Sequence, residues 1–241
     1  MNLTSAARQV ATLCRRIIAC RRCPRLVRHR ERTAREKVRR YRDWDYWGRP
    51  VPGFGDPAAR LLVVGLAPAA HGGNRTGRIF TGDRSGDFLY RALHRAGFAN
   101  QPTSTNRDDG LRLTDCYITA AVRCAPPDNK PTPTELSRCR SFLLEELARL
   151  RHVRVMVALG QIAFHACLQA LEARGVWLPT PRPRFQHGHV AFLQNGLVLI
   201  GSYHPSQQNT QTGRLTDMMF QQIFTIARRH LDAHSRRAAT D

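Results

Sequence analysis

The chain is poor in lysine, poor in acid and without a long apolar run. Of its 241 residues 38 are basic, yet only Lys37 and Lys130 are lysines. Acidic side chains number 18, and the loops richest in unusual residues contribute only Asp83 and Asp128. A nuclease that holds divalent ions needs clustered carboxylates, so that class ranks low from the start. No apolar stretch approaches the roughly 18 residues of a membrane span, and the run at 61–66 is far too short. Arg15, Arg16, Arg21 and Arg22 interrupt the one greasy stretch near the N-terminus, so neither secretion nor membrane insertion is expected. There is no internal repeat and no low-complexity segment. A cytoplasmic protein follows as the default, and its seven cysteines are then no disulfide framework.

The hydrophobic share, 42%, is that of an ordinary globular domain, and 241 residues bury a core without help from disulfides or metal. The formal net charge is +20. Residues 1–50 hold 15 arginines and lysines against Glu31, Glu36, Asp43 and Asp45, a local excess of +11. A coding bias explains arginine over lysine but not base over acid. A polyanionic partner is therefore expected, nucleic acid before others.

Residues 5–42 read as helical but broken, with the turn at 20–24. A loop rich in aromatics, proline and glycine follows at 41–55. Strands are expected at 60–66, 115–122, 153–159, 190–193 and 197–202, and helices at 85–96, 134–150, 161–173 and 215–231, with Ser85 as a possible cap. Such alternation predicts a parallel sheet covered on both faces, with the site in the loops beyond the strand carboxyl ends. Three unusual stretches fall there: 67–82, 123–133 and 204–213.

The loop at 65–83 follows a strand and precedes a helix, so its backbone N–H groups can point into a pocket. It matches neither G-x-G-x-x-G nor a P-loop. Phe80 either stacks on a planar ligand or anchors the loop to the core. Asp83 sits where an N-cap belongs and is also the lone carboxylate of its loop. His204, in a proline-stiffened strand end, is placed to donate a hydrogen bond to a developing charge. Cys20 and Cys23 form a C-x-x-C, while Cys124 and Cys139 lie 15 residues apart. By residue type, four cysteines suit zinc or an iron–sulfur cluster. Cys14, Cys116 and Cys167 sit in apolar patterns and read as small buried hydrophobes.

The stretches G-L-A-P-A-A-H-G-G-N-R-T-G-R-I-F-T-G-D (65–83), A-A-V-R-C-A-P-P-D-N-K-P-T-P (120–133) and H-P-S-Q-Q-N (204–209) closely resemble family 5 of the uracil-DNA glycosylases. The resemblance covers residues 20 to about 215. It implies a three-layer α/β/α fold around a four-stranded parallel sheet. Residues 1–55 would form a basic helical segment that supplies cluster cysteines, 56–233 the glycosylase domain, and 234–241 a disordered tail. It implies a [4Fe–4S] cluster, rather than zinc, on Cys20, Cys23, Cys124 and Cys139.

The resemblance further implies catalysis by Asp83, His204 and Asn129. Gly65, Ala67, Phe80, Ala120, Asn129 and His204 would surround the base. Arg75, Ser206, Gln207, Gln208 and Asn209 would contact DNA. Uracil-specific relatives carry an asparagine where this chain has Ala120, so a broad range that includes hypoxanthine and xanthine is implied. The loops at 65–83 and 204–213 hold no lysine, so no Schiff-base lyase step is expected. The implied protein is a monomeric, prokaryotic repair enzyme that flips a base from duplex DNA, works at the nucleoid and leaves an abasic site. The opposing reading is an iron–sulfur or zinc module that binds DNA without chemistry.

Overall fold

The computed structural model describes residues 5–237. Helix α1 (Ser5–Ile18) buries Val10, Leu13 and Ile17, which share one face at helical spacing. Helix α2 (Pro24–Glu36) opens on a proline, whose fixed φ and missing N–H suit a first turn, and buries Leu26, Val27 and Arg30. The C-x-x-C occupies the break between them, as expected.

Six strands form one sheet: β1 (Phe54–Gly55), β2 (Leu61–Gly65), β3 (Cys116–Ala120), β4 (Val155–Leu159), β5 (Val190–Phe192) and β6 (Val198–Ser202). Their order is β1-β3-β2-β4-β6-β5. The inner four are parallel, and the short edge strands β1 and β5 run antiparallel to their neighbours. The resemblance implied four strands; the sheet has six, with two short antiparallel strands at its edges. β1 was missed because two residues carry no periodicity.

All four inner strands are buried along their whole length, which is why they read as continuous β-branched runs. Successive residues still divide between two cores. Leu61, Val63, Ile118, Val157 and Ile200 face α4 (Arg84–Arg95) and α8 (Asp217–Arg237), meeting Leu89, Leu93, Phe220 and Phe224. Leu62, Val64, Met156 and Leu199 face α5 (Pro133–Arg149) and α6 (Gln161–Ala173), and Val10 of α1 joins that side. The arrangement is three-layered α/β/α. Cys116 and Cys167 are wholly buried, and Cys14 is partly so.

A third core lies beyond the strand ends, where Leu13, Ile17 and Leu26 pack on Val122, Cys124, Cys139 and Phe142. The N-terminal helices are thus seated on the end of the sheet that carries the loops. Helix α8 runs to Arg237, so residues 234–237 are helical where a tail was expected, and 238–241 lie outside the described residues.

Beneath that junction Arg123 and Glu146 form a fully buried ion pair at 2.5 Å. The Thr119 hydroxyl donates to the same Glu146 oxygen at 2.7 Å and accepts from Arg123. Removing one partner strands the other's charge away from water, at a cost of about 3–5 kcal/mol. Glu146→Gln should therefore destabilise the fold by that amount in denaturant unfolding. An unchanged midpoint would show the pair to be energetically idle.

Candidate active site

Strand β2 ends at Gly65 beside Ala120, the end of β3, in register. A Cβ on Gly65 would lie 2.7 Å from two ring carbons of Phe80. The ring can rest on the strand end only because residue 65 has no side chain. Phe80 itself adopts φ 51°, a left-handed backbone that costs a non-glycine residue about 1–2 kcal/mol, and it is 6% exposed. Backbone strain of this kind persists where the surroundings enforce it, often at functional sites. The ring of His204, two residues past β6, lies 5.8 Å from that of Phe80, centroid to centroid, and inclined by 32°. Gly65, Phe80, Ala120 and His204 thus come together at the carboxyl end of the sheet.

Asp83 is the N-cap of α4: its Oδ1 accepts from Gly86 N–H at 2.9 Å. Ser85, the expected cap, lies one residue inside the helix. The other oxygen, Oδ2, lies directly over Gly72, where a Cβ would come within 1.8 Å of it. Burial pushes the Asp83 carboxyl above the usual carboxylate range, opposed by helix N–H groups and the charge of Arg75. One oxygen holds the helix and the other faces the loop. Capping and chemistry therefore need not compete for this side chain.

Arg75 belongs to α3 (Gly73–Thr76), the short turn inside the 65–83 loop, and is 3% exposed. Its Nε donates to His71 O at 2.7 Å and its Nη2 to Gly82 O at 2.8 Å. The guanidinium lies over the rings of Tyr41 at 3.9 Å and Trp44 at 4.1 Å. Arg75, expected to contact DNA, braces the loop from within in this structure. Sequence reading missed the two aromatics, although a Tyr/Trp cluster beside an arginine-rich loop is the composition such stacking needs.

His204 is half-buried, and desolvation pushes its imidazole down to about 4. It is neutral at neutral pH, with one N–H to donate. Its carbonyl accepts from Asn209 Nδ2 at 2.8 Å, so the Asn209 amide is committed to the loop. Ser206 caps α7 (Gln207–Gln211), and the exposed Gln207 and Gln208 begin that helix. Asn129 is exposed in a left-handed turn at 127–129, outside the enclosed group around Phe80. Ala67 packs at the edge of the third core, beside Cys20, Cys23 and Leu136.

The four cysteines converge. Cys20, Cys23, Cys124 and Cys139 line one small cavity between α1, α2 and α5, together with Leu26, Val122 and Arg30. Arg30, 2% exposed, donates to Cys124 Sγ at 3.0 Å and to Cys20 O at 3.3 Å, and the Arg123 N–H reaches Cys139 Sγ at 3.4 Å. Among the described residues, no three His, Cys, Asp or Glu side chains are grouped tightly enough to share a single metal ion.

The model of the uracil DNA glycosylase superfamily matches residues 52–228. The chain belongs to that superfamily. It is 53% identical over 228 residues to the type-5 uracil-DNA glycosylase of Mycobacterium tuberculosis, covering 94% of this chain and 84% of that one. It is 54% identical over 213 residues to the type-5 uracil-DNA glycosylase of Thermus thermophilus, covering 88% and 94%. A type-4 uracil-DNA glycosylase of Pyrobaculum aerophilum is 31% identical over 157 residues, 65% of this chain and 71% of that one. The glycosylase superfamily match extends across β2, β3, β4 and β6 and takes in Asp83 and His204.

The depressed His204 value has a consequence for stability. Between pH 6.5 and about 4 the unfolded chain binds a proton at this residue that the folded chain refuses. Stability therefore falls as pH drops through that window. His204→Gln should flatten this part of the stability–pH curve in thermal melts. An unchanged slope would mean that the imidazole is freely protonated in the fold.

Proposed function

We propose that this chain removes uracil, and other deaminated bases such as hypoxanthine and xanthine, from duplex DNA by hydrolysing the N-glycosidic bond. The observation that carries the reading is the meeting of a half-buried neutral imidazole and an aromatic ring at the carboxyl end of the sheet, with the Asp83 carboxyl over Gly72 in the loop that carries that ring. A base inside a duplex is out of reach, so it must be extruded into such a pocket. As the C–N bond breaks, its electron pair leaves with the base and positive charge grows on the sugar. His204 would donate its N–H to the departing base, and Asp83 would stabilise the sugar or orient the water that takes the base's place. A non-catalytic DNA binder needs neither group.

Asp83→Asn keeps an N-cap, since asparagine serves there as well as aspartate, while removing the charge. It should leave the melting point nearly intact and lower single-turnover release of uracil by at least about 10²–10³, the scale of one lost transition-state contact. Normal turnover would reduce Asp83 to a cap. Retained binding to abasic-analogue duplex with no release from the parent chain would favour the binder.

The residues fit an iron–sulfur cluster: four cysteines line one cavity and offer the all-thiolate donor set that such a cluster takes. The same donor set also suits zinc, and metal content decides between them. The buried Arg30 donates to Cys124 Sγ and would stabilise a metal-bound thiolate there. Such a cluster would cross-link α1–α2 to the loop after β3 and to α5. The protein should carry about four irons and little zinc. Cys124→Ser should lose them and Cys167→Ser should not; stoichiometric zinc would overturn the assignment.

Ala120 sets the proposed breadth. It is buried beside Gly65 on the face that carries Phe80, and offers a base edge no hydrogen bond. Ala120→Asn should lower hypoxanthine release relative to uracil release. Equal changes on both would place Ala120 outside the pocket.

A further inference from the structure

A wide cleft lies apart from the residues around Phe80. It measures about 660 Å³ and lies between α1, α2 and the segment at 46–49, lined by Arg15, Arg21, Arg35, Arg49, Tyr46 and Trp47 among others. Its one carboxylate, Glu31, is bound by Arg21 at 2.6 Å. Arg15 meets only the Thr12 hydroxyl, and Arg35 and Arg49 have no carboxylate within ion-pair distance among the described residues. On its far side α2 carries Arg25, Arg28, Arg32 and Arg35 at helical spacing around a second cavity of about 370 Å³ that shares Glu31 and Arg35 with the first; Arg25 is paired with Glu135 and Arg32 with Glu36. The stripe rises about 15 Å, the axial length of roughly four phosphates on one DNA strand.

The cleft is built onto the loop that carries Asp83. Tyr46 Oη and His71 Nδ1 lie 3.0 Å apart, and the N–H groups of Trp47 and Gly48 donate to Arg75 O and Asn74 O. The helices on its other side pack on Val122 and Cys124, past the same end of the sheet as the pocket. Its aromatic rings are already engaged: Trp47 lies against Gly77 and the guanidinium groups of Arg49 and Arg107, and its Nε1 donates to Pro50 O. A single-strand site needs free stacking faces. This cleft offers charge without them.

We infer that the α1–α2 cleft is a phosphate-backbone subsite for the duplex arm flanking the extruded nucleotide, with Arg15, Arg35 and Arg49 as its contacts. The inference rests on the glycosylase reading only for the position of that nucleotide. The cleft lengthens the footprint in one direction, and its contacts read no sequence.

The test uses the full chain and duplexes carrying a tetrahydrofuran abasic analogue, with either a short or a long arm on each side in turn. The triple variant Arg15→Gln, Arg35→Gln, Arg49→Gln should bind duplex tenfold or more weakly when one particular arm is long. It should match the parent chain when that arm is cut back. The slope of log K against log salt should fall by about 2–3. Uracil release at saturating DNA should be unchanged, and thermal melts confirm the fold. A control triple, Arg112→Gln, Arg151→Gln, Arg174→Gln, at the amino ends of the strands, should change neither. Equal weakening for both arms, or none, overturns the subsite. So does a loss seen with single-stranded oligonucleotide but not with duplex. If the parent chain shows no preference for the analogue over intact duplex, the glycosylase reading fails, while the variant's salt slope on intact duplex still reports on the cleft.

Discussion

The buried ion pair of Arg123 and Glu146 ties together strand β3, the loop after it and helix α5. Thr119, inside β3, is bonded to it. Arg123 stands next to Cys124 and its own N–H reaches Cys139 Sγ. Glu146 lies two turns along α5 from that same Cys139. Two charges in an apolar setting cost several kcal/mol each to desolvate, so only close pairing makes the burial tolerable. That requirement limits where β3 ends, how α5 lies across it and where the cysteines meet.

From that fixed corner the site is arranged by contacts that tolerate no side chain. Gly65 lets Phe80 lie on the strand end, and Gly72 lets the Asp83 carboxyl lie over the loop. Each is a close approach of a functional group to bare backbone. The loop between them is held by the Arg75 guanidinium, stacked on Tyr41 and Trp44. A rigid loop matters because an electrostatic contact aids a reaction only if it is already aimed when charge appears.

Much of this was legible in the sequence, for physical reasons that differ between elements. The inner strands were readable because burial on both faces demands unbroken apolar runs, and α6 because its turn signals are local. The boundary of α4 was misplaced by a residue because Asp83 and Ser85 are both good caps, and only geometry chooses between them. One sheet edge was not readable, since β1 is two residues long and owes its existence to β3, whereas the other, β5, falls within the strand expected at 190–193. Among site residues, Phe80 and His204 meet as expected, whereas Arg75 turned inward and Asn129 stayed on the surface. An arginine's number of donors can be known from its name; which way they point depends on aromatics 30 residues away.

A parallel sheet ends, in principle, in two rows of open N–H and C=O groups that any extended peptide can join. Here β1 and β5 cover the rims of β3 and β6 with two and three residues, reversed in direction. What faces outward is then too short to template a further strand. In a chain of net charge +20, mutual repulsion also opposes the approach of a second copy. Polymerisation by strand addition is closed off twice, once by geometry and once by charge, and the second safeguard weakens when a polyanion neutralises it while the first does not.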